Sequence, residues 1–212
     1  MLDSADIVIW DFDGVINRNY DEKGFLWFRD VEADLGISHE ALQQALFTGR
    51  WAQVLTNQTH VLDLLAEVLL PLGFKGTPRE FFDYWMERDF ALDREILALM
   101  HRIKSIGKKQ AIGTNNEPLR TALIWENHGM RDVADHMFSS GLLGVAKPNA
   151  DYFERVSKIL GVRPERILFV EDTPKNVDAA RAAGWHTVAY GDSSKMQLGN
   201  ARELSNLLGM RV

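Results

Sequence analysis

Five short apolar runs, each ending in turn-forming or polar residues and most separated by helical periodicity, restrict this chain more than any other feature. Ile7-Val8-Ile9-Trp10 is continuous, apolar and mostly β-branched, as a strand buried on both faces must be. It ends in Asp11-Phe12-Asp13-Gly14, where Asp-Gly signals a turn. Comparable runs follow at Gln110-Ala-Ile-Gly113, His136-Met-Phe-Ser139, Ile167-Leu-Phe-Val170 and His186-Thr-Val-Ala189. Asp93 to Ile106 places Ile96, Leu97, Met100 and Ile103 on one helical face and stops at Gly107. Pro148 to Leu160 has proline in its first turn, gathers Phe153, Val156 and Ile159, and stops at Gly161. Pro174 to Ala183 offers Thr173 as its N-cap and Gly184 as its stop. Strands alternating with helices predict an α/β fold, a doubly wound, Rossmann-like parallel sheet.

One spacing breaks the rhythm. A parallel crossover needs about a dozen residues, yet about 95 separate the first strand from the second. The helix over Asp93–Ile106 accounts only for the end of that stretch. Val61, Leu64, Leu65, Val68 and Leu72 form one apolar stripe, and Phe81, Phe82, Trp85 and Phe90 suggest another. A structureless loop of that length is implausible in a compact domain. The pattern therefore predicts a small helical domain at 17–90, inserted into an α/β core made of 1–16 and 91–212.

In a doubly wound sheet, ligands bind outside the carboxyl ends of the strands. Asp11 and Asp13 follow the first strand, and Thr114, Asn115 and Asn116 the second. Lys147-Pro148 lies beyond the third, and Glu171 and Asp172 follow the fourth. Taken singly, each has an ordinary reading as an acidic turn, a helix cap or a surface lysine. Together they put several carboxylates, one ammonium and a small hydroxyl–amide pair at one sheet edge. Such a carboxylate cluster repels itself unless a cation sits in it, and hard oxygen ligands point to Mg2+. A divalent cation, a lysine and small hydrogen-bond donors are what a transferring phosphoryl group needs. A carboxylate poised there can be the nucleophile, giving an aspartyl-phosphate.

The order Asp11-Phe-Asp13-Gly-Val15, Thr114-Asn115, Lys147-Pro148 and Glu171-Asp172 resembles the four motifs of the haloacid dehalogenase superfamily. The long insert resembles that superfamily's subclass with a helical cap. Thr114-Asn-Asn-Glu117, Ile124-Trp125 and Met130-Arg-Asp-Val-Ala-Asp135 are most similar to sugar-phosphate phosphatases of the α-glucose-1-phosphate phosphatase type. The resemblance implies Asp11 as nucleophile and Asp13 as acid–base, its backbone carbonyl a Mg2+ ligand. It also implies that Thr114 and the amide of Asn115 hold phosphoryl oxygens and that Lys147 neutralises nucleophile and phosphate. Asp11 and Asp172 are then metal ligands, with Glu171 a direct or water-mediated partner. Many relatives place an acid four positions beyond the Asp172 position; this chain has Asn176, and Asp178 is expected to face solvent. Halide chemistry is disfavoured, because those relatives carry no acid at the Asp13 position.

The implied activity is Mg2+-dependent hydrolysis of small phosphorylated metabolites, sugar phosphates first. A sugar phosphomutase and a catalytically silent phosphate-binding regulatory module are the alternatives. With 24 Lys+Arg against 30 Asp+Glu, the net charge of −6 disfavours nucleic-acid partners. No apolar run approaches the ~20 residues of a membrane span. The acidic N-terminus is no secretory signal, and there are no cysteines, so a cytoplasmic location is expected. No His-x-His or His-x-x-x-His pair suggests zinc. In the insert, Trp51 and Trp85 are candidates to line a substrate pocket. Arg18, Arg50, Asn57 and His60 are candidates to meet a substrate, and Arg50, Trp51 and His60 are expected to set specificity. Hinges are expected near Val15–Arg18 and Arg88–Asp93.

Overall fold

A computed structural model of the chain describes residues 1–210. Strand β1 (Ile7–Trp10) is central in a five-stranded parallel sheet. The insert begins with a two-stranded antiparallel ribbon, β2 (Tyr20–Asp21) and β3 (Gly24–Phe25), and the sheet resumes with β4 (Lys109–Thr114), β5 (His136–Ser139), β6 (Ile167–Glu171) and β7 (His186–Ala189). The order is β5-β4-β1-β6-β7. Trp10 pairs with both Ile112 and Val170, so the carboxyl ends of β1, β4 and β6 lie level.

Side chains alternate across this sheet with the period of two. Val8, Trp10, Ile112, Leu168 and Val170 pack on one face with Ile96, Leu99, Met100 and Ile103. Ile7, Ile9, Ala111, Ile167 and Phe169 pack on the other with Tyr152, Phe153, Val156 and Trp185. Helices thus cover both faces, which is why β1 is apolar without interruption.

The insert carries α1 (Val31–Leu35), α2 (His39–Phe47), α3 (Trp51–Leu55), α4 (Val61–Leu69) and α5 (Pro78–Asp89). They enclose a second core that includes Trp27, Leu42, Leu46, Val54, Leu65, Phe81 and Trp85. Helix α5 begins with a capping box: Thr77 accepts from the Glu80 amide, and Glu80 accepts from the Thr77 amide. The short β2–β3 ribbon escapes the sequence reading, because two residues per strand show no periodicity.

The remaining helices are α6 (Arg94–Ser105), α7 (Pro118–Asn127), α8 (Met130–Val133), α9 (Ser140–Leu143), α10 (Ala150–Leu160), α11 (Pro174–Ala182) and α12 (Ala201–Leu207). Two start signals differ from expectation. Helix α10 begins after Pro148, with Asn149 accepting from the Asp151 amide as its cap. Thr173 precedes α11 but makes no side-chain cap; its hydroxyl instead bonds Asp172 Oδ1 at 3.2 Å and Ser193 Oγ at 2.9 Å.

The two chain crossings between core and insert run side by side. Arg18 N donates to Ala91 O at 2.9 Å, and Asp93 N to Ile16 O at 2.8 Å. Asn17, fully buried, ties them to the sheet edge. Its Nδ2 donates to Asp13 Oδ1 and Asp89 O, both at 3.0 Å, and its Oδ1 accepts from Ala91 N at 2.7 Å. Asn17→Ala strands these buried partners and should lower unfolding stability by roughly 1–3 kcal/mol. A urea midpoint equal to the parent's would show that the crossings do not depend on this side chain.

Candidate active site

Asp11 is the first residue beyond β1, its amide bonded to Val170 O at 2.9 Å. Glu171 ends β6 and Asp172 follows it. Oxygens of Asp11, Glu171 and Asp172 lie within 4.8 Å of one another, and all three residues are buried. Burial, the neighbouring Glu171 charge and Asp172 push the Asp11 carboxyl well above its ordinary range, with Lys147 opposing them. Burial and Glu171 likewise push Asp172 up to about 7. Glu171 goes the other way: Lys147 and hydrogen bonds outweigh burial and hold it low.

Lys147, in the loop before α10, supplies the compensating charge. Its ammonium lies 3.1 Å from Asp11 Oδ1, 2.7 Å from Glu171 Oε2 and 2.8 Å from the Gly113 carbonyl oxygen. Burial disfavours the cation, but these anions hold it protonated. Glu171 is heavily committed. Oε1 accepts from the Asp172 and Thr173 amides, and Oε2 from Lys147 and Asn176.

This set fits a hard divalent cation. It offers oxygen donors alone, and the burial and mutual repulsion that raise Asp11 and Asp172 are what a bound cation offsets. Asn176 lines the same chamber, and its Oδ1 is buried without a hydrogen-bond partner. Gly14 has φ +81°, and a Cβ there would collide with Asp172 Oδ2, so the turn after β1 needs glycine. Tyr20 Oη donates to the same oxygen at 2.5 Å. Asp178 is exposed, as expected.

Asp13 sits apart from that trio. Arg120 grips it bidentately, Nη1 at 2.6 Å from Oδ2 and Nη2 at 2.7 Å from Oδ1, and Nη2 also donates to Asp89. Burial alone would raise Asp13; the guanidinium charge and bonds from Arg120, Asn17 and Asn116 outweigh it and hold the carboxyl low. Asn19 Nδ2 joins Asp13 to Asp89, at 3.1 Å from each. At the end of β4, Thr114 Oγ1 accepts from Asn116 Nδ2 at 2.7 Å. The Asn115 side chain is spent on the Lys147 backbone, donating to its carbonyl at 2.8 Å and accepting from its amide at 2.9 Å.

Two chambers meet here. The lower, about 220 Å³, is lined by Asp11, Thr114, Lys147, Asp172 and Asn176 among others. The upper, about 200 Å³, lies under the insert, with Trp51 and Trp85 in its walls as expected. Asp13, Phe25 and Asn115 line both.

Four other insert candidates do not reach either chamber. Arg50 pairs with Glu67 at 2.6 Å and Thr59 at 3.1 Å, stapling α3 to α4. His60 caps α4, its Nδ1 accepting from the Leu62 amide. Arg18 pairs with Asp93 at 2.9 Å across the two crossings. Asn57 is exposed in the turn after α3, with φ +59°. Conversely, the sequence reading passed over Arg120, Asp89 and Asn19. A signal existed for Asp89: it stands on the face of α5 shared by Phe82, Trp85 and Met86, where an unpaired acid does not belong.

A family model described as haloacid dehalogenase-like hydrolase matches residues 5–184. A phosphatase of Mycobacterium tuberculosis is 31% identical, the alignment covering 96% of this chain and 95% of that one. A sesquiterpene phosphatase of Aspergillus oryzae is 30% identical over 90% of this chain and 95% of its own length. In fold, the chain resembles an enzyme of the same family from Bacteroides thetaiotaomicron, solved with magnesium and inorganic phosphate. The TM-score is 0.73 at 16% identity, covering 88% of this chain and 94% of that one.

Removing Arg120 would leave Asp13 and Asp89 together without their cation. Arg120→Leu should cost about 3–5 kcal/mol in denaturant unfolding, and adding Asp89→Asn should recover part of it. A loss below about 1 kcal/mol, the scale of a surface pair, would mean the triad contributes nothing to folding.

Proposed function

Because the chain belongs to the haloacid dehalogenase-like hydrolases, we propose that it is a Mg2+-dependent phosphatase acting through an aspartyl-phosphate on Asp11. Its substrates are monoesters of small phosphorylated metabolites. The observation that carries this reading is the position of Asp13. It is the carboxylate shared by a charged chamber suited to a phosphoryl group and a chamber suited to whatever that group leaves behind. A general acid for the leaving oxygen belongs at that boundary.

Asp11 attacks phosphorus, forming its O–P bond as the ester O–P bond breaks, and Asp13 delivers a proton to the departing oxygen. Asp13 then takes a proton from the water that attacks the aspartyl-phosphate, releasing phosphate and restoring Asp11. Lys147 lowers the charge felt between Asp11 and the phosphoryl oxygens. Thr114 and the Asn115 backbone N–H hold those oxygens, since the Asn115 side chain is occupied elsewhere. Bound by Asp11, Asp172 and the Asp13 carbonyl, with Glu171 the most committed member of the set, Mg2+ would offset phosphoryl charge and align it with Asp11. Asp13 begins ionised on Arg120, so it must leave that grip and take up a proton from solvent water before it can deliver one to the departing oxygen; Asp89 remains to neutralise the guanidinium.

Sugar phosphates are the substrates implied by the resemblance around Thr114–Glu117, while a relative named as a sesquiterpene phosphatase has a quite different alcohol in view. The insert, closing over the site as a cap about the two crossings, would make that choice.

Asp11→Asn should lose on the order of 10⁴ or more in phosphate release, with the fold retained. Asp13→Asn should disable alkyl phosphates but still be phosphorylated by an aryl phosphate, whose leaving group needs no proton. A tenth of the parent rate in the first variant, or equal loss of phosphorylation by both ester types in the second, would refute these assignments. Steady phosphate release without a sugar-bisphosphate activator separates a phosphatase from a mutase. Asp172→Ala should raise the Mg2+ requirement about 10–100-fold. Full activity in excess chelator would remove the metal from the mechanism.

A further inference from the structure

The upper chamber is walled by Trp27, Phe47, Trp51, Leu55, Phe82 and Trp85. These rings hold one another in place. Trp27 and Trp85 lie 4.7 Å apart between centroids, Trp51 and Trp85 5.8 Å, and Phe47 meets Trp51 edge-on at 5.1 Å. The chamber was therefore built before any ligand arrives. Its floor is polar, but most of those groups are engaged. Arg120 is held by two carboxylates, and Glu117 accepts from the Leu119 and Arg120 amides. Asn115 is clamped on Lys147, and Asn116 on Asp13, Thr114 and Arg120.

Three buried atoms of residues lining the chamber lack partners, Trp85 Nε1, Arg120 Nε and Asn19 Oδ1. They supply two donors and one acceptor. That serves one or two oxygen functions on a carbon skeleton, whereas a sugar ring brings several hydroxyls that each need a partner on leaving water. Aromatic walls around a few placed polar groups are the usual form of a site for an apolar ligand.

We propose that the leaving group is an apolar alcohol: the substrate is the phosphate monoester of a hydrocarbon alcohol, its phosphoryl group on Asp11 and its skeleton among the cap aromatics. This deepens the phosphatase reading and rests on it. Phosphoryl transfer is unchanged; Asp13 protonates the hydrocarbon alkoxide at the boundary, and the alcohol departs from the upper chamber.

The test is inorganic phosphate release, with Mg2+, from ethyl, butyl, hexyl and octyl phosphate, against glucose 1-phosphate and glucose 6-phosphate. kcat/KM should climb about fourfold for each methylene buried until the chamber is full. The glucose phosphates should fall at or below ethyl phosphate. Trp51→Ala should flatten the slope, lowering the octyl-to-ethyl ratio. A flat series in the wild-type enzyme, or a glucose phosphate outrunning the octyl ester, would overturn the proposal while leaving a working phosphatase. No release from any ester would instead defeat the phosphatase reading. Calorimetric binding of n-alkylphosphonates then judges the chamber alone: affinity rising with chain length supports an apolar occupant, and affinity independent of length overturns it.

Discussion

A single buried ammonium allows the sheet edge to exist in this form. Lys147 Nζ touches Asp11 from β1's end, the Gly113 carbonyl from β4 and Glu171 from β6. Three adjacent parallel strands thereby converge on one cation, which holds Glu171 ionised in a place where desolvation would otherwise neutralise it. The loop bearing Lys147 is fixed in turn by Asn115, which pairs with both its amide and its carbonyl. Charge balance, strand register and the shape of the lower chamber are consequences of one arrangement.

The same solution recurs one layer outward. Arg120 neutralises Asp13 from the core and Asp89 from the last helix of the cap, and so joins the two units by charge. Asn17 and Asn19 complete the joint with hydrogen bonds to both acids or their backbone. Asp13 is thus held ionised by the same arginine that ties the insert to the core. Any change in the Asp13–Arg120 pair therefore reaches Asp89 on the insert through one guanidinium.

Much of the core was readable in one dimension. The uninterrupted run Ile7–Trp10 could only be a strand covered on both faces, and the residues after each run had to gather at one edge of a parallel sheet. Asp11, Lys147, Glu171 and Asp172 do gather there. The cap was legible only as a helical insert with two apolar stripes. Arg50 and His60 looked like substrate contacts because both are polar and near a helix junction, yet those junctions are where stapling and capping groups are needed. Arg120 was overlooked because an arginine early in a helix usually faces solvent, and its two carboxylates come from 107 and 31 residues away.

By itself, the sequence determined the α/β core, the helical character of the insert and the set of groups available for phosphoryl chemistry. Those properties follow from local periodicity and from the rule that parallel strands expose their carboxyl ends together. Tertiary structure alone decided which side chains line the upper chamber. Trp27, Phe47, Trp51, Phe82 and Trp85 lie on a short 3-10 helix and three different α-helices, and their common chamber exists only once those elements pack. It also decided which polar groups were already spent. A hydrogen bond satisfied by a partner a hundred residues away leaves no mark in the local sequence, yet it settles what a pocket can still bind.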